Sequence, residues 1–117
     1  MEFAAIPSAD LNTMIIIMAN EVQRYINGIV ADRTKGNPET HNMYSSKSNV
    51  DTVNLKVTFG LHNAMTQSIV YKTYDWVEFA NICSFQPLIE ATFNELVDFM
   101  LTKSNEVKNK TVILNEN

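Results

Sequence analysis

Two histidines and one cysteine, His41, His62 and Cys83, are the side chains of this 117-residue chain best suited to metal binding or nucleophilic chemistry. Such chemistry recurs at short, fixed spacings, and no two of these three residues share a segment. His41 falls in a polar stretch and His62 in a turn, so both read as solvated imidazoles. Cys83, beside Ile82, reads as a small buried hydrophobe. Asp75 and Glu78 have the spacing of a helix-capping box rather than of an acid–base pair. Gly28, Gly36 and Gly60 are too dispersed to cradle a phosphate. No catalytic residue, metal or cofactor is expected, and the chain reads as non-enzymatic.

Composition narrows the partners. A formal charge of −4 and nine dispersed Lys and Arg residues argue against nucleic-acid binding, which needs clustered cations to neutralise phosphates. The longest apolar run, Met14 to Ala19, is far short of the roughly 20 residues that span a bilayer, so no membrane is expected. Residues 1–10 carry Glu2 in place of a basic leader. With a single cysteine no intrachain disulfide forms, which suits a reducing compartment. A cytoplasmic protein is expected, in a host cell or a particle. Asn occurs 14 times while Gly and Pro occur three times each; this usage points to AT-rich coding sequence, as in a low-GC bacterium or its phages.

The elements that position these residues begin with one strand. Val53, Leu55, Val57, Phe59 and Leu61 alternate with Asn54, Lys56, Thr58 and Gly60, so one face is apolar and the other wet. A first helix is expected over about 10–31, because Leu11, Met14, Ile15, Met18, Val22, Tyr25, Ile26 and Ile29 recur at helical spacing. Asn27-Gly28 is the competing hairpin signal. Residues 66–82 are rich in branched and aromatic side chains and read as one long strand or two short ones broken near Asp75. The alternative is a short helix over 76–83 started by Asp75 and Glu78. A last helix should begin near Phe85, capped by Ser84, with Pro87 in its first turn and Ile89, Phe93, Leu96, Val97 and Met100 as its core stripe. Residues 111–114 fit a short edge strand, and 115–117 should fray. The whole predicts one α+β domain over 1–117, with two helices on one face of a small antiparallel sheet. A 1–9 arm and a long polar loop over 34–50 lie outside that core.

The helix–strands–helix order invites comparison with double-stranded-RNA-binding domains, but their basic second-helix start is replaced here by Gln86, Glu90 and Glu95. The order is also similar to that of small ring-forming connector and terminator proteins of phage tails, a likeness of architecture with no motif behind it.

Partner contacts are expected where apolar or charged groups exceed what a core needs. Ile16 projects among Asn20, Gln23 and Asn27, and Phe99 among Glu95 and Lys103; with Phe3 and Ile6 of the arm they favour self-association. Residues 73–102 hold five acids and no base, whereas 24–72 hold six bases against three acids. An acidic face of one subunit meeting Arg33, Lys35 and the 34–50 loop of the next, with His41, Tyr44 and Lys56 nearby, would set register. Tyr71, Tyr74 and Trp76 form an aromatic stretch suited to an interface or to the core. The leading expectation is a homo-oligomeric structural or assembly protein, of the kind found as a phage connector or tail component, that also contacts another protein. The alternative is a small binding module, such as a phage-encoded inhibitor of a host defence protein or a nucleotide sequestrant, acting through the 34–50 loop or Tyr71–Trp76. The wet strand face, Asn54, Lys56 and Thr58, is the first surface to inspect.

Overall fold

The structure, a computed structural model, describes residues 8–36 and 42–114. Its elements are α1 (Ser8–Thr34), β1 (Tyr44–Asp51), β2 (Lys56–Asn63), β3 (Ser68–Asp75), α2 (Trp76–Cys83), α3 (Gln86–Glu106) and β4 (Thr111–Ile113). This is the α+β class, with helices packed on one four-stranded sheet ordered β1-β2-β3-β4. The first three strands form an antiparallel meander, and β4 pairs parallel to β3. A parallel neighbour requires a crossover, and α2 with α3 supplies it. The sheet is therefore mixed rather than purely antiparallel, and the helices number three rather than two.

Alternation decides which face is buried. In β2, Val57, Phe59, Leu61 and Asn63 are buried while Lys56, Thr58, Gly60 and His62 are half-exposed. Across the register, Tyr44, Ser46, Ser48 and Val50 of β1 and Ser68, Val70 and Tyr74 of β3 share the covered face. On α1, Ile15, Ala19, Val22, Ile26, Ile29 and Val30 form the buried stripe. The helical period carries straight through Asn27-Gly28, and α1 ends where the Thr34 hydroxyl donates to the Val30 carbonyl at 2.8 Å. On α3 the stripe is Phe93, Leu96, Val97, Met100 and Ser104. The centre of the core is aromatic. Phe59 meets Phe79 at 5.7 Å and Phe93 at 5.6 Å between ring centroids, and Tyr74 lies edge-on to both Phe59 and Phe93.

Four further expectations are corrected. The 34–50 stretch is not one loop: residues 44–51 form β1, and 37–41 lie outside the described residues. The strand expected over 53–61 starts later, at Lys56. Val53 and Leu55 belong to the β1–β2 turn, where the Asp51 carboxylate accepts from the Val53 and Asn54 N–H groups at 2.9 Å and Leu55 adopts φ 56°. Residues 76–83 are helix, the alternative reading of that stretch, with Trp76, Phe79 and Ile82 buried at three-residue spacing. Asp75 sits at the cap position of α2 without a side-chain cap bond; its carboxylate pairs instead with Lys56, directly opposite on β2. The cap of α3 is Phe85 rather than Ser84, whose hydroxyl closes α2 by donating to the Asn81 carbonyl at 2.7 Å.

Candidate functional site

The helix-free sheet face carries Lys47, Gly60 and Tyr71 in one register row and Ser45, His62, Ile69 and Thr111 in the next. Two pairs of its polar groups meet across strands. Lys56 pairs with Asp75, and the Thr58 and Thr73 hydroxyls meet at 2.8 Å. Gly60 lies opposite Tyr71, and a Cβ there would sit 3.3 Å from the Tyr71 Cβ. His62 is half-exposed on this face, whereas Cys83 ends α2 on the covered side, so the two do not converge. Burial pushes the Cys83 thiol up to about 11, which keeps it protonated and a poor nucleophile near neutral pH.

Concavity lies on the covered side. Helix α1 packs along β1, and α3 packs over β2 and β3, leaving β4 with less cover. The result is a cleft of about 750 Å³. Its floor is Tyr74 and Val112, its end is Glu78 and Ile82 of α2, and its long wall is the α3 face of Thr92, Glu95, Leu96, Phe99 and Lys103. That wall follows helical spacing, so one side of α3 feeds the core while the adjoining side lines the cleft. Tyr74 is only 3% exposed, yet its hydroxyl has no hydrogen-bond partner among the described residues. Burial, reinforced by the charges of Glu78 and Glu95, holds that hydroxyl well above the usual phenol range and so protonated. The Lys72 ammonium sits 5.4 Å from the Tyr74 ring centroid. Phe99 is 57% exposed at the rim, a large aromatic surface left in water.

The residues expected at an interface are scattered. Phe3, Ile6 and His41 lie outside the described residues. Ile16 is exposed on α1, with Ile17 beside it. Arg33 is occupied within its own chain, donating to Asp98 at 3.0 Å and Asn94 at 2.9 Å, and Lys35 pairs with Asp32. Tyr44 is half-buried and exchanges hydrogen bonds with Asn105. Tyr71 is half-buried on the open face. Tyr74 and Trp76 belong to the core, and the Trp76 indole N–H donates to the Lys56 carbonyl at 3.3 Å. Of the expected set, Tyr74 and Phe99 meet at the cleft, and Trp76 meets Lys56 away from it.

Charge segregation along the chain is partly cancelled in space. Arg33 with Asp98 and Lys56 with Asp75 each join a base of the first half to an acid of the second. Among the described residues, Glu78, Glu90 and Glu95 form no ion pair. The cleft residues missed from sequence are Lys72, Glu78, Val112 and Ile113. They come from three elements, β3, α2 and β4, whose meeting depends on the β3–β4 parallel pairing, so no local pattern marks them. Comparison with known protein families, curated proteins and solved structures gives no match.

Proposed function

We propose that this chain is a non-enzymatic assembly protein that functions as a homo-oligomer. One observation carries the reading: six large apolar side chains, Ile17, Val53, Val77, Phe85, Phe99 and Ile113, are each more than half exposed. A single exposed hydrophobe is ordinary. Of the six, Phe99 and Ile113 border one cleft, and a domain of this size gains by burying such a shared apolar surface against a copy of itself. The Cys83 thiol, raised by burial, is a poor nucleophile near neutral pH, which weighs against thiol chemistry.

Light scattering on the full chain and on a variant lacking residues 1–9 tests the proposal. A mass at an integral multiple of 13.3 kDa is expected for the full chain. A monomer at every concentration, for both proteins, overturns it.

A further inference from the structure

We infer that the cleft beside α3 is a two-fold interface with a second copy of this chain, in which the α3 helices of the two copies run antiparallel and cross at Phe99. The inference rests on the homo-oligomeric reading above and names the surface.

The argument starts from spacing. Glu95, Phe99 and Lys103 lie at intervals of four on the cleft wall, so they share one helix face. The acid and the base are equidistant from the aromatic residue. A two-fold axis through Phe99 therefore sets Glu95 of each copy against Lys103 of the other, twice. A parallel arrangement would oppose Glu95 to Glu95 and Lys103 to Lys103, and like charges face to face are disfavoured. The charge pattern thus selects both the partner and its direction.

The other charged residues of the cleft are Glu78 and Lys72, the latter over the Tyr74 ring. Glu78 joins Glu95 toward the α2 end, while Lys103 lies near the C-terminal end of α3. Glu95 and Glu78 have no ion pair within the described chain. Lys103 has one loose contact, 3.8 Å to Glu106 between exposed groups, and is available to a better partner. The centre of the pattern is the exposed aromatic ring, the residue type that concentrates binding energy when enclosed and desolvated. A stable dimer buries about 800 Å² per partner, more than three side chains supply. The half-exposed Thr92, Val112 and Leu114 of the cleft lining, with the exposed Ile113 at the sheet edge, extend the patch beside the partner's Phe99. Tyr74, whose hydroxyl stays protonated, lines the same space.

Charge reversal tests this directly by sedimentation velocity over a dilution series. Glu95→Lys and Lys103→Glu each place like charges together at both ends of the pair and should raise the dissociation constant at least about tenfold. The double variant re-forms both pairs with signs exchanged and should return to within about threefold of the unchanged protein. Phe99→Asp should abolish the contact. Because all three side chains lie at the surface of α3, far-UV circular dichroism should be unaltered. Single variants that associate as tightly as the unchanged protein, or a double variant no better than the singles, overturn the two-fold assignment while leaving self-assembly through another surface in place. A monomeric unchanged protein overturns both.

Discussion

Asn63 and Ser104, 41 positions apart, form the polar joint between the end of β2 and the last turns of α3. The fully buried Asn63 amide donates to the Ser104 carbonyl at 3.2 Å and to its hydroxyl at 3.1 Å. The amide oxygen meanwhile accepts from the Met65 and Thr66 N–H groups at 3.0 and 3.3 Å. One side chain thus closes the β2–β3 turn and fastens it to the helix that walls the cleft. Asn63→Ala strands buried partners on both sides and should cost about 2–4 kcal/mol. Urea denaturation checks this, with Asn81→Ala, at an exposed position, as the near-neutral comparison.

The aromatic centre should be equally unforgiving. Phe93 touches Phe59, Tyr74 and Phe79 and is fully buried. Phe93→Ala should destabilise by about 3–5 kcal/mol, a large share of the 5–15 kcal/mol typical of a domain. Phe93→Leu should cost visibly less in the same thermal or urea melts, because it leaves a smaller cavity.

The Cys83 thiol supplies a kinetic prediction. Raised from 9.0 to about 11 by burial, it presents roughly 100-fold less thiolate at pH 8 in the folded chain than in the unfolded one. Alkylation by iodoacetamide should slow by at least that factor on folding and recover in denaturant. The sign for stability follows: an acid whose folded value lies above its unfolded value favours the native state below pH 9 and loses that contribution as pH rises above it.

Asp51 gives the opposite slope. Hydrogen bonds from Asn54 and Val53 hold its carboxyl below the usual 3.8, so its contribution is present above that value and is lost as pH falls through the lower folded value. In Asp51→Ala the acid limb of the stability–pH curve should flatten, while the limb above neutrality is unchanged. Differential scanning calorimetry from about pH 2 to about pH 9 reads both limbs.

How far the chain discloses these features depends on whether local pattern or tertiary placement decides them. The α1 and α3 stripes and the alternation of Val57, Phe59 and Leu61 are legible because each buries one face against a single layer. Strand β1 is not, because its covered face is polar: Ser46 accepts from the Gln23 amide at 2.8 Å and donates to Asn27, so hydrogen bonds stand where apolar residues would mark the period. The Trp76–Cys83 segment has the branched and aromatic composition of a strand. Its burial at Trp76, Phe79 and Ile82 is settled by packing against α3 and β3. The cleft is the least legible feature. Phe99 stands out of place on its helix in the sequence, but the floor beneath it exists only once β4 returns beside β3.

The account turns on assembly, and sedimentation equilibrium of the unmodified chain over a hundredfold dilution tests it most directly. Self-association predicts a weight-average mass that rises with concentration to a multiple of 13.3 kDa. A mass fixed at 13.3 kDa across the whole range contradicts it.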